Sequence, residues 1–167
     1  PAETAGLVLV DPAHEEQKTR QEPDVQASMD AAVASSMAKL VDYAARSSDG
    51  MLTQADVAPM ISKALPAKEQ SAYSYIYRTR PAFWDTIRSE GTQLDQSYAE
   101  VRNMGITSLG DIPLAVIRSS AVMQLAQTEE LSAKADAVLR ALQLEISQES
   151  SRGSLTTAAD TTHEIQL

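Results

Sequence analysis

Two short apolar runs and a β-favouring segment near the C-terminus stand apart from a long stretch of helical periodicity, and that contrast organises the chain. Leu7–Val10 is apolar at every position rather than alternating, the pattern of a parallel strand covered on both faces. Asp11-Pro12 stops it, because proline has no N–H to give to a ladder. Ile112–Ile117 is a second such run, with Pro113 tolerated at its start. After the turn residues Ser150-Ser151-Arg152-Gly153, the segment Ser154–Ala159 predicts a third strand, and Asp160-Thr161-Thr162-His163 follows it. Between the second and third strands, Glu129 to Ile146 is amphipathic, with Leu131, Ala135, Val138, Leu139, Leu142 and Ile146 on one side. Strand, helix and strand at this spacing predict a parallel crossover unit.

The stretch from 17 to 105 predicts helix throughout. Asp24 is a capping candidate for a helix whose apolar positions Val25, Met29, Val33, Met37, Leu40 and Val41 recur about every four residues, and Ser47-Ser48-Asp49-Gly50 breaks it. Val57, Met60, Ile61, Ala64 and Leu65 share one face of a shorter helix that Pro66 ends. Pro81 opens another, carrying Phe83, Trp84, Ile87, Leu94, Tyr98, Val101 and Met104, with Gly105 as its C-terminal cap. The chain therefore divides into 1–16, a strand with its loops; 17–105, a helical insertion; and 106–167, a return to the sheet. An insertion of this size between strands of one sheet is usually functional.

Composition narrows the chemistry. At 167 residues the chain is long enough for a real core. The net charge of −9 disfavours nucleic acid and anionic membrane, which need clustered Lys and Arg. No apolar run approaches the ~20 residues that span a bilayer, so a soluble chain is expected, and the absence of cysteine fits a reducing compartment such as the cytoplasm. It also removes any thiolate nucleophile or thiolate metal site. His14-Glu15-Glu16 lacks the second histidine at helical spacing that a zinc-protease motif needs, so a solvated loop is the expectation and no metal is assigned. No phosphate-cradling or dinucleotide loop is present, and no cofactor is assigned. Tyr73, Tyr75, Tyr77, Phe83 and Trp84 have two readings, as a lined acyl or alcohol pocket or as packing between helices.

The residues Gly6-Leu7-Val8-Leu9-Val10-Asp11-Pro12-Ala13-His14, Leu109-Gly110-Asp111-Ile112-Pro113-Leu114-Ala115-Val116-Ile117 and Leu144 to Leu167 resemble the later strands and the histidine loop of the alpha/beta-hydrolase fold family, and 17–105 is similar to its helical cap. The resemblance implies an α/β fold class: a partial alpha/beta-hydrolase fold, with a three-stranded parallel sheet and a large helical cap insertion. It implies that His163 is a general base and that Asp11 is the acid that orients it. Asp11 also has a structural reading, as the residue that ends a strand and caps a turn. Asp160 is too close in sequence to His163 to reach its ring from across the site. No Gly-x-Ser-x-Gly occurs, since no two of the six glycines are four residues apart. The resemblance therefore implies a fragment whose nucleophile elbow lies upstream of residue 1, belonging to a hydrolase of a small ester or related acyl substrate. The alternative is a non-catalytic helical module that binds a partner through its acidic surface. Without its neighbour in the sheet, Leu7–Val10 would be an apolar edge prone to self-association.

Overall fold

The computed structural model describes residues 4–121, 126–161, 163 and 165. The chain forms β1 (Leu7–Val10), α1 (Pro23–Ser48), α2 (Gln54–Val57) with a 3-10 turn at Ala58–Met60, α3 (Ala67–Thr79), α4 (Pro81–Met104), β2 (Leu114–Ser119), α5 (Glu129–Gln148) and β3 (Gly153–Ala158). It divides into two compact units, one of Pro1–Ala32 with Asp95–Gln166 and one of Val33–Leu94.

The first unit holds a three-stranded parallel sheet in the order β1-β2-β3, with Leu7 opposite Leu114, Leu9 opposite Val116 and Val116 opposite Leu155. The α/β class expected of the sequence is therefore present. Helix α5 packs on β2 and β3. Leu114, Val116 and Ile146 form the buried centre of that layer, with Leu7, Leu9, Leu109 and Leu155 around them. Thr128 caps α5 by accepting from the Leu131 N–H, at 3.2 Å. Gly153 begins β3 against the last turn of α5, where an added Cβ would overlap the Ser147 carbonyl. Val25 and Met29, at the start of α1, pack with Ala126 and Ala135.

Two strand expectations need correction. β1 is not covered on both faces: Leu7 and Leu9 are half-buried toward α5, but Val8 is 64% and Val10 47% exposed. As the first strand in the order β1-β2-β3, β1 is also an edge of the sheet. β2 runs two residues later than its apolar run. Pro113 contributes its carbonyl to the Leu7 N–H, at 2.8 Å, but has no N–H for the ladder, and pairing continues through Arg118 and Ser119 to Thr157 and Ala158. This extension carries a charged side chain into the sheet.

The second unit is helical and is built on Trp84, 2% exposed, packed with Leu52, Val57 and Ile61. The rings of Tyr43, Tyr77 and Phe83 lie 5.0–5.3 Å from that of Trp84, whose indole N–H donates to the Tyr77 carbonyl at 2.8 Å. Tyr77, Phe83 and Trp84 therefore pack as core, whereas Tyr73 and Tyr75 are exposed. α1 opens with Pro23 at its first position rather than on an Asp24 cap, and Asp24 adds its charge to the first turn. α1 closes on Gly50 at φ 69°, with Met51 N–H bonded to Arg46 O and Gly50 N–H to Ser47 O, the paired bonds of a Schellman end. The expected helix through Leu65 is shorter: Pro59 tightens the chain into the 3-10 turn and the helical path stops at Ile61.

Thr53 and Asp56 form a capping box at α2, and Arg46 donates to the Asp56 carboxylate at 2.6 Å. The Arg46 bond, then those from Thr53, hold the Asp56 carboxyl well below its ordinary 3.8. A carboxyl held low when folded stabilises above its unfolded value, and that stabilisation disappears as pH falls through the folded one. Asp56→Asn is therefore expected to lower the melting temperature of this unit, followed by Trp84 fluorescence, near pH 6. The gap from wild type should close as the pH drops below about 3.8. A gap that stays constant into that acid range would contradict the assignment.

Candidate functional site

The three parallel strands end together, and the side chains of interest sit at or just beyond their carboxyl ends, where open α/β sheets place their sites. Asp11 follows β1 with its N–H bonded to Ile117 O at 2.7 Å and its backbone at φ 44°, a left-handed conformation that aspartate tolerates better than most residues. That turn swings the side chain inward, to 3% exposure. His163 lies beyond β3, two strands away across β2, roughly 10 Å at ordinary strand spacing. The connection is stitched to the tip of β2. Thr161 O accepts from Ser119 Oγ (3.0 Å), from Ser120 Oγ (3.4 Å) and from the Ala121 N–H (3.2 Å). Thr161 N–H donates to Ser120 Oγ at 3.1 Å. Thr162 and Glu164, which flank the histidine, lie outside the described residues.

This path brings Asp11 and His163 together. His163 Nδ1 is 2.7 Å from Asp11 Oδ2. A carboxylate only accepts, so the ring's Nδ1 carries the proton and a neutral ring keeps its lone pair on Nε2. Among the described residues no hydroxyl bonds to that Nε2, and the imidazole is 58% exposed. The other carboxylate oxygen, Oδ1, accepts from Gln143 Nε2 at 3.1 Å and, at the longer 3.4 Å, from the Ser119 N–H. Asp11 is thus a buried acceptor with donors on both oxygens, and His163 is an exposed ring fixed at one corner. Asp160, at φ 55°, helps turn the chain after β3.

The other sequence candidates fall elsewhere. His14 is buried, with its Nδ1 accepting from the Glu16 N–H at 3.0 Å and standing 3.3 Å from Glu15, which corrects the expectation of a solvated loop: the ring folds back to satisfy its own turn. Among the described residues no group of three or more His, Cys, Asp or Glu is arranged to hold a metal, and no helix is long and apolar enough to cross a membrane. Neither of two clefts among the described residues is lined by Asp11 or His163. One of about 480 Å³ in the helical unit is lined by Gln54, Gln70, Ser71, Ser74 and Arg78 among others; one of about 500 Å³ follows Val8, Ala115 and Ser154 along the sheet.

Sequence reasoning missed Arg118 and Gln143, which are 2% and 0% exposed behind Asp11. Arg118 Nε donates to Gln143 Oε1 at 3.2 Å and its Nη2 to Asp136 at 2.9 Å. The only available signal was an arginine directly following an apolar strand run, and charge at a strand end normally reads as solvated.

The burial difference sets different costs for the two partners. Asp11→Ala strands the buried donors that met its carboxylate and is expected to lower stability by about 2–3 kcal/mol, whereas His163→Ala, at an exposed ring, should cost less than about 1 kcal/mol. Urea unfolding of both variants measures this, and equal losses would contradict it.

Compared with known proteins, the chain matches no family model, no curated protein and no solved structure.

Proposed function

We propose that this chain supplies the base, the acid and a helical cap of a serine hydrolase acting on a small ester or related acyl substrate. The observation that carries the reading is the 2.7 Å contact between His163 Nδ1 and Asp11 Oδ2 at the shared carboxyl ends of β1 and β3. The chemistry follows from the tautomer. With Nδ1–H held by a carboxylate, Nε2 faces outward as a base, able to take a hydroxyl proton as that oxygen attacks an acyl carbon and to return it to the leaving group. The imidazolium formed in between gains from the negative carboxylate at its back. The sequence holds no Gly-x-Ser-x-Gly, and the proposed reading therefore requires the nucleophile and its oxyanion donors from a segment outside these 167 residues. The resemblance of the strand and histidine-loop residues to alpha/beta-hydrolases supports the same assignment, and the helical unit takes the role of the cap. The rival reading, a helical module that binds a partner, has exposed Val33 and Val41 on α1 in its favour. It gives no reason for a buried carboxylate aimed at an exposed imidazole.

The direct test is turnover of a chromogenic short-chain ester. The 167-residue chain alone is expected to be inactive. The protein that includes the segment coded upstream should carry a Gly-x-Ser-x-Gly elbow within roughly 30 residues of Pro1, the length of one crossover unit. It should hydrolyse the ester, lose turnover with His163→Ala, and fall on the order of 10⁴-fold with Asp11→Asn. Turnover by the isolated chain, or His163→Ala activity equal to wild type in the longer protein, would overturn the reading.

The same reading makes β1 the neighbour of a strand from the other segment. Its exposed Val8 and Val10 then leave the isolated chain self-associating through that edge. Val8→Lys is expected to shift the chain toward monomer in sedimentation velocity; a wild-type chain already monomeric at the same concentration would contradict this.

A further inference from the structure

Behind Asp11 lies a row of buried polar side chains that the base–acid pair does not by itself require. Arg118 stands on β2, and α5 contributes Asp136 and Gln143, seven residues or two turns apart and so on one face of the helix. Asp136 is 7% exposed. The contacts run in one direction: Arg118 to Asp136 at 2.9 Å, Arg118 Nε to Gln143 Oε1 at 3.2 Å, and Gln143 Nε2 to both Asp11 Oδ1 and Pro12 O at 3.1 Å.

The direction is forced. A guanidinium has donors only, so the side of the Gln143 amide that faces Arg118 must be its oxygen. Its NH₂ then points at a carboxylate and a carbonyl, which only accept. A flipped amide would set donor against donor on one side and acceptor against acceptor on the other, with all the groups buried, where each unsatisfied group costs about 1–3 kcal/mol. Asp136 holds the arginine with an ion pair, while Arg118 Nη1 has no partner among the described residues. The carboxylate has its own need for such a donor. The terminal torsion of an aspartate is broad, and of the two donors to Oδ1 the Gln143 amide at 3.1 Å is closer than the Ser119 N–H at 3.4 Å, so the amide is the stronger hold on the carboxylate's rotation.

We propose that Gln143, its amide orientation set by Arg118, is a positioning residue that fixes the rotation of the Asp11 carboxylate so that Oδ2 accepts from His163 Nδ1. The role rests on reading Asp11 and His163 as an acid–base pair. The Arg118–Asp136 pair acts one step further back, as the group that makes the amide directional. A merely space-filling Gln143 would leave the histidine indifferent to its replacement by an apolar residue of similar size.

The ring's tautomer distinguishes the two, and it is read in the chain itself without any hydrolase activity. Long-range proton–nitrogen NMR of the ¹⁵N-labelled chain gives the Nδ1–H to Nε2–H ratio of the neutral ring, with His163 identified by loss of its signals in His163→Gln. Wild type is expected to favour Nδ1–H. Asp11→Asn, Gln143→Leu and the double variant Arg118→Met/Asp136→Leu should each lower the ratio, Gln143→Leu by about tenfold, the worth of one hydrogen bond to a charged group. Replacing a buried ion pair by apolar residues is often neutral for stability, so the double variant keeps the test open if Gln143→Leu does not fold. A wild-type measurement stands beside them: the Gln143 side-chain amide protons should exchange as slowly as core backbone amides, and rapid exchange would overturn the proposal. If Asp11→Asn lowers the ratio and Gln143→Leu leaves it unchanged, the positioning role falls and the acid–base pair survives. An unchanged ratio in the double variant removes the part assigned to Arg118. A wild-type ring without Nδ1–H preference removes the pair itself, and the positioning role with it.

Discussion

A buried carboxylate with donors on both oxygens is the constraint around which the sheet unit is arranged. Asp11 sits at 3% side-chain exposure, and an isolated carboxylate at that depth would be costly. The structure meets that cost with groups from three places, the Ser119 N–H at the end of β2, Gln143 on α5 and His163 beyond β3, and with a left-handed backbone at Asp11 that turns the side chain toward them. Each group depends on the parallel register. A slip of one residue between β1 and β2 would turn the side chain to the opposite face of the sheet and separate it from α5.

The polarity of the layer follows from the same register. Residues 7, 9 and 11 of the first segment and 114, 116 and 118 of β2 share the face under α5. That face changes from apolar to polar as the strands reach their carboxyl ends. Leucine and valine hold the helix near the start of the strands, and Asp11, Arg118, Gln143 and Asp136 take over near the end. A buried ion pair such as Arg118–Asp136 is weak evidence for stability, because desolvation offsets its attraction. Its place next to a one-directional amide gives it a different use: it sets which way a hydrogen bond runs.

Much of this was legible in the chain because it depends on local chemistry. Unbroken apolar runs marked β1 and most of β2, the amphipathic spacing from Glu129 to Ile146 marked α5, and Pro81 with Gly105 bracketed α4. Asp11 and His163 stood out as an acid and a base at the tips of strands. What the sequence hid depends on context. Val8 and Val10 are as apolar as Leu7 and Leu9, and only the packing shows that their face of the strand is exposed. Val33 and Val41 fit the periodicity of α1 yet stay exposed, since a long helix buries only the stretches that meet a neighbour. Arg118 and Gln143 have the composition of surface residues, and their burial arises from satisfying one another.

The contact between Asp11 and His163 is measured most directly in a crystal structure of the chain at a resolution that places both side chains. The two strands' tips should hold Asp11 Oδ2 within about 3 Å of His163 Nδ1, with Gln143 on the other carboxylate oxygen. A His163 ring turned away from Asp11, with the carboxylate bonded only to its neighbours from β2 and α5, would reduce Asp11 to a strand-ending aspartate and leave the histidine without a role.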